Sequence, residues 1–254
     1  MDLEVDGRVV ATYLAHPDVD PLRGPRPYLH PVRTLAGTVV TDAGPDDHPH
    51  HLGVSIAMQD VNGINLWGGR TYVRGQGYQW LDDHARIEHV GYAEVAPRRI
   101  RSQLRWCDPA GGTLLDERRT MSAEPIEGGW RLRVEYTLTN PGLEPVRLGS
   151  PGTNGRPGDA GYGGFFWRGA LDANRVASPH STREAEVNGS MAEWVELAGP
   201  AYTLVFSGLG EGDRWFVRLG EYPGVCVALA FADVRSIEPG DCLRRAHEVR
   251  ILDM

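Results

Sequence analysis

Between Trp130 and Asn140 apolar and polar side chains alternate without interruption. Trp130, Leu132, Val134, Tyr136 and Leu138 fall on one side, and Arg131, Arg133, Glu135, Thr137 and Thr139 on the other. A period of two belongs to a strand with one face in a core and the other in water, so the stretch predicts a half-buried β-strand. Upstream, Ile100, Ser102, Leu104 and Trp106 share a face before a Pro-Ala-Gly-Gly turn and a second extended run, which predicts a β-hairpin. Further strands are expected at Val9 to Leu14, Gly53 to Met58, Tyr202 to Gly208, Trp215 to Leu219, Val225 to Phe231 and Leu243 to Leu252. Helical periodicity is nearly absent, and 32 glycines and 18 prolines suit a chain of many turns. No repeat, low-complexity tract or linker divides it. The expectation is an all-β, antiparallel β-sandwich of two large sheets, a single domain over residues 1–254.

Two stretches break the strand rhythm. Ser150 to Gly169 carries seven glycines and ends in Phe165, Phe166 and Trp167, which predicts a long loop packed over something. The segment from Pro25 to His89 holds six of the nine histidines, His30, His48, His50, His51, His84 and His89. It also contains VNGINLWGG and GQGYQWLDDH, rich in amides, aromatics and glycine. Directed hydrogen bonds for hydroxyls beside flat rings for a pyranose face are what a sugar-binding cleft needs.

Charge and cysteine content narrow the partners. The formal net charge is −8 and the 26 basic residues are dispersed, which argues against nucleic acid. No apolar run reaches the ~20 residues of a membrane span, and the N-terminus lacks the basic and apolar regions of a secretory signal, so a cytoplasmic, membrane-free protein is expected. Cys107, Cys226 and Cys242, widely spaced, suggest packing residues and no disulfide framework or thiolate zinc site. Self-association into a homo-oligomer is compatible with the composition.

The densest chemistry is Asp46-Asp47-His48-Pro49-His50-His51. In an extended chain His48 and His50 point to one side and His51 to the other, and Pro49 holds His48 extended. The pair can then move protons or present two imidazoles to one divalent metal ion, with Asp47 fixing a tautomer. Arg26, His30 and Arg33 lie just upstream, where an arginine fork can hold a carboxylate or polarise a carbonyl. Asp82, Asp83, His84, Glu88 and His89 read as a polar turn, and His180 as an exposed loop histidine. His247 falls in phase with Val249 and Ile251, the setting of a hydrogen-bonded core histidine or of a group at the cleft. Neither a Gly-x-Gly-x-x-Gly nucleotide loop nor a Gly-x-Ser-x-Gly elbow occurs.

RPYLHPVRT, DHPHHLG, VNGINLWGG and GYGGFFWR, in that order, resemble a bacterial family of unknown function often labelled PmoA-like or methane oxygenase. That family looks related to the galactose-mutarotase-like supersandwich, whose members bind or rearrange carbohydrates. Ile237, Pro239, Gly240 and Asp241 resemble the Leu-x-Pro-Gly-Glu turn of that superfamily, with Ile and Asp departing from it. The resemblance implies a carbohydrate-active enzyme using histidine acid/base chemistry, metal-assisted or not, for epimerisation, β-elimination or hydrolysis of a sugar or oxidised glycoside. His48 and His50 would transfer protons or ligate the metal, with His30 a third member, Asp47 an orienting carboxylate and Arg33 an electrophilic clamp. Arg26, Asn62, Asn65, Trp67, Gln76, Tyr162, Trp167 and His247 would bind substrate. A non-catalytic carbohydrate-binding protein is the first alternative, and a histidine-ligated metal oxygenase the second.

Overall fold

The computed structural model describes residues 1–254 and shows two large antiparallel sheets. The alternating strand, Gly129–Thr139, lies in an eight-stranded sheet between Thr113–Ile126 and Cys242–Asp253. Its five apolar residues are buried, while on the solvent face Arg131 and Arg133 share Glu248. Arg99–Cys107 and Thr113–Ile126 form the expected hairpin, closed by Gly112 N–H donating to Asp108 Oδ1 (2.7 Å).

The seven-stranded sheet runs in the order Asp2–Val5, Arg8–Leu14, Tyr28–Val32, Val54–Ala57, Gly164–Arg168, Gly224–Ala228 and Arg214–Arg218. In three of its strands, Val54–Ala57, Gly164–Arg168 and Gly224–Ala228, every residue is buried. A strand buried on both faces has no alternation to read, so GFFWR looked like the end of a loop although it is a central strand. Phe165 and Trp167 point at the eight-stranded sheet, against His247 (5.1 Å between ring centroids) and Phe206 (5.5 Å). One hydrophobic cluster of 56 residues fills this interior. Phe166 and Arg168 point the other way, beneath the loops that carry the histidines.

Strand register lays a floor under those loops. Tyr28 pairs with Ser55, Ser55 with Phe166, Phe166 with Cys226 and Cys226 with Phe216, one row across the outer face of the sheet. In the next row but one, Arg168 and Arg218 flank Gly224. A side chain at Gly224 would meet Tyr222 at 2.9 Å and Phe166 at 3.2 Å, so its absence gives the Tyr222 ring its place.

A three-stranded sheet (Arg235–Ile237, Val146–Gly149, Asp60–Val61) and a ribbon of Thr71–Val73 with Gly77–Gln79 complete the fold. No helix is long and apolar enough to cross a membrane. Cys107 and Cys226 are buried, whereas Cys242 is exposed and so is not the packing residue the sequence suggested.

Candidate functional site

The histidine loop is not extended. His48 N–H donates to Pro45 C=O (3.1 Å) and His51 N–H to His48 C=O (2.9 Å), two successive turns that curl the chain on itself. Curling brings all three imidazoles together. Ring centroids lie 4.6 Å apart for His48 and His51, 4.7 Å for His50 and His51 and 5.9 Å for His48 and His50. His51, expected to face away, is the innermost of the three, and its ring packs edge-on against Phe166 (5.0 Å) and Tyr222 (4.7 Å).

The loop is fastened from below by Arg26, which is fully buried. Its guanidinium donates to the carbonyls of His50 (3.0 Å), Trp67 (2.9 Å) and Gly24 (2.8 Å), and its Nε to Ser55 Oγ (3.0 Å). The opposite wall is shaped by Asn65, whose Oδ1 accepts from the N–H groups of Trp67 (3.0 Å) and Gly68 (2.9 Å). His84 Nε2 donates to Gly69 C=O (2.6 Å). Gly69 has φ +71° and lies against the His50 ring, where an added Cβ would come within 2.8 Å of Cε1, so only glycine fits.

These elements enclose a cleft of about 370 Å³, near the lower end of the ~300–1,000 Å³ common for small-molecule sites. His48, His50 and His51 form one side with Asp47. Trp67, Tyr162, Tyr78 and Trp80 supply rings, and the turn after Arg218 brings Glu221 and Tyr222 to the rim. Trp67 and Tyr162 centroids are 5.0 Å apart, and the Tyr78 and Tyr162 hydroxyls 3.1 Å. Burial pushes both phenols above their ordinary range, so they stay protonated donors.

Electrostatics assign the imidazoles different states. Burial, then the positive charge of Arg26, pushes His50 down to about 3, and burial with its histidine neighbours holds His51 well below its ordinary value. Both are neutral at physiological pH. Arg168 Nη1 donates to His51 Nδ1 (3.4 Å), which leaves the His51 proton on Nε2. His48 Nδ1 donates to Asp47 Oδ2 (2.8 Å), and its Nε2 has no protein partner. Arg168 Nη2 lies 3.7 Å from Asp47 Oδ1. Burial raises the Asp47 carboxyl, but His48 and Arg168 outweigh it and keep Asp47 ionised.

This donor set does not suit a metal ion. The three imidazoles pack ring against ring, and no three His, Cys, Asp or Glu side chains form a group that could hold a metal ion. The His48 and His51 rings are stacked, only 19° from parallel, with Nδ1 of each engaged, and the guanidiniums of Arg26 and Arg168 repel a cation. The expected His48–His50 metal pair therefore has no third ligand beside it.

Of the expected site residues, Asp47, His48, His50, Trp67 and Tyr162 line the cleft. Others do not. His30 bonds Thr41 Oγ1 through Nδ1 (3.0 Å), and Arg33 reaches over its own turn to Gly37 C=O (3.2 Å), so neither meets the histidine loop. Asn62 is a turn residue with φ +52° whose amide bonds Arg147 N–H and Pro145 C=O. Gln76 lies at the exposed tip of the half-buried Thr71–Gln79 ribbon, and Trp167 is a core residue donating to Val40 C=O (3.1 Å). Arg26 and Asn65 hold the walls and do not face a ligand. His247 lies between the sheets, its Nδ1 against Gly208 C=O (2.8 Å), and burial pushes it down to about 4. Beyond His51, sequence reasoning passed over Arg70, Arg156, Arg218, Glu221 and Tyr222. Trp80 and Tyr78 fall within the amide- and aromatic-rich stretch already marked as sugar-like, but no motif marks the arginines.

Solved structures with a similar fold include a galactose mutarotase-like protein from Lactobacillus casei, with a TM-score of 0.50 at 10% identity, covering 99% of each chain. A galactose mutarotase related enzyme from Lactobacillus acidophilus aligns at TM-score 0.48 and 8% identity, covering 99% of this chain and 96% of that one. Heparan sulfate lyase HepC from Pedobacter heparinus, in mutant form, aligns over 67% of this chain at TM-score 0.34 and 9% identity. The present chain spans only 22% of that lyase's length. At 10% identity the likeness to the Lactobacillus casei protein is one of fold, that of the mutarotase-like sandwich. No curated protein matches the sequence. The methane-oxygenase label suggested by the motifs is carried by none of these similarities. The family model that does match spans residues 1–254, and the chain belongs to DUF6807, a family of unknown function.

Proposed function

We propose that this protein is an enzyme that moves protons on a bound sugar, with His48 as the group that exchanges a proton with substrate. The observation that carries the reading is the convergence of His48, His50 and His51 with Asp47 on one side of an aromatic-walled cleft. Asp47 fixes the His48 tautomer with the proton on Nδ1, so Nε2 is the basic nitrogen, and the carboxylate stabilises the imidazolium once Nε2 has taken a proton. His51 donates a hydrogen bond from Nε2, and neutral His50 accepts one from a hydroxyl. In ring-opening epimerisation His48 takes the anomeric hydroxyl proton while the bond from the anomeric carbon to the ring oxygen breaks, the ring oxygen takes a proton from solvent, and closure on the other face of the aldehyde runs the same steps in reverse. In elimination from an oxidised glycoside it takes the proton on carbon next to the carbonyl, the carbon–carbon double bond forms as the bond to the β-oxygen breaks, and the His48 imidazolium returns its proton to that leaving oxygen. Trp67 and the Tyr78–Tyr162 hydroxyl pair hold the ring in either case.

The test is polarimetry of freshly dissolved α-D-glucose and α-D-galactose, with NMR titration of the same sugars for binding. His48→Ala should lower turnover by about 100-fold or more while leaving sugar binding in place. Unchanged turnover in that variant would sink the enzyme reading. Binding by the parent protein with no turnover of any sugar would favour a non-catalytic carbohydrate-binding protein, a reading that the rings of Trp67, Tyr78 and Trp80 support by themselves.

A further inference from the structure

All five arginine–aromatic stacks in the molecule surround this cleft. Arg26 lies over Trp67, Arg70 over Trp80 (5.8 Å), Arg156 over Tyr78 (5.0 Å), Arg168 over Tyr222 (4.9 Å) and Arg218 over Phe216 (4.3 Å). Elsewhere arginines such as Arg119, Arg131 and Arg245 lie against carboxylates. Arg70, Arg156 and Arg218 line the cleft and take part in no ion pair. The Arg70 and Arg156 side chains donate to no protein group, and Arg218 donates only to the neighbouring Val217 C=O (2.8 Å). Behind them, Arg168 is fully buried with Nε and Nη2 making no hydrogen bond. A chain of net charge −8 has therefore gathered unpaired guanidiniums at one cleft and set them over its rings.

Packing over a ring leaves the N–H groups of Arg70 and Arg156 free of protein acceptors, and those of Arg218 free apart from the bond to Val217 C=O. It also limits the rotamer freedom that a flexible cation loses on binding. The fork geometry matches a carboxylate. The cleft wall sets Arg70, Arg156 and Arg218 against Asp47 and Glu221, and Asp47 already faces Arg168, so the wall carries an excess of positive charge that suits an anion. Arg156 lies over the Tyr78 ring, and Arg156, Arg218 and Glu221 all act electrostatically on its phenol.

We infer that the ligand of this cleft is an acidic sugar, a hexuronate or a glycoside of one, whose carboxylate is held by Arg156 and Arg218 with Arg70 at the rim. This rests on the reading that the cleft binds a sugar and adds the charge that the sugar must carry.

NMR titration with D-glucuronate and D-galacturonate, each against its neutral parent sugar and against glucose 6-phosphate, tests it. The uronates should bind about tenfold or more tighter than glucose and galactose, and added salt should erode the preference. The variant Arg156→Gln/Arg218→Gln, with folding checked by its circular dichroism melt, should bring the uronate-to-neutral ratio close to one. Equal binding of neutral and acidic sugars by the parent protein would overturn the inference while leaving a carbohydrate site intact. Glucose 6-phosphate binding as tightly as the uronates would overturn the carboxylate assignment. No spectral change with any of these sugars at millimolar concentration would remove the carbohydrate reading and this inference together.

Discussion

Mild acid should destabilise this fold through its buried imidazoles. His50 is held at about 3 and His247 at about 4 by burial, against an ordinary value of 6.5, and His51 is driven down in the same direction. Below pH 6.5 the unfolded chain takes up protons that the folded chain refuses, so the contribution of each group is complete above that value and is lost as the pH falls toward its folded value. Between pH 7 and pH 5 an unfolded imidazole gains most of a proton and a folded His247 or His50 almost none, which amounts to about 2 kcal/mol for each of these two. His247 and His50 together give a loss of about 4 kcal/mol, a large part of the ~5–15 kcal/mol that holds a domain together, and His51 adds to it in the same direction. Carboxylates held low, such as Asp47 and Glu124, lose their contribution only in a more acidic window. Urea unfolding at pH 7, 6 and 5, followed by the fluorescence of the buried tryptophans, measures the effect. His247→Gln should be less stable at pH 7 and show a shallower pH dependence by about 2 kcal/mol across the range. A midpoint constant or rising from pH 7 to pH 5, or an unchanged slope in His247→Gln, would refute the argument.

Two further substitutions test the packing beneath and beside the site. Glu117 and Arg119 form a buried bidentate pair (2.6 and 3.0 Å) that also accepts Trp106 Nε1–H (2.8 Å). Glu117→Leu should therefore lower stability by about 3–5 kcal/mol in thermal melts, with part recovered when Arg119→Leu is added. Gly224→Ala places a methyl against Tyr222 and Phe166, and should cost about 1–3 kcal/mol and weaken uronate binding by displacing Tyr222 from Arg168.

The strands that alternate, such as Gly129–Thr139, were legible because water on one side and core on the other write a period of two into the side chains. Gly164–Arg168 was not, because both of its faces are covered and burial erases the contrast. That omission carried Trp167 into the expected site, although its indole belongs to the core between the sheets. The histidine cluster could be found from composition alone, but its geometry depends on two turns that long-range contacts impose, above all the bond from Arg26 to His50 C=O. Pro49 restricts only His48, and an extended reading of that one residue placed His51 on the wrong side. Asn65 and Arg26 illustrate a second limit. Amides and guanidiniums serve backbone carbonyls and ligands alike, and only the fold decides which. The unpaired arginines come from separate turns and strands, and nothing local distinguishes them from arginines on the solvent face of the other sheet.

The single guanidinium of Arg26 bonds backbone at residues 24, 50 and 67, so the histidine wall and the tryptophan wall share one rivet. Neither can swing away without breaking the same group of bonds in the protein interior. The recess is a fixed mould, not a jaw, and the entropy of ordering its walls is lost when the chain folds instead of when a guest arrives. Discrimination among sugars then falls to rigid shape and to the placement of charge, and the dwell time of a bound molecule is set by its own contacts, with no hinge to wait for.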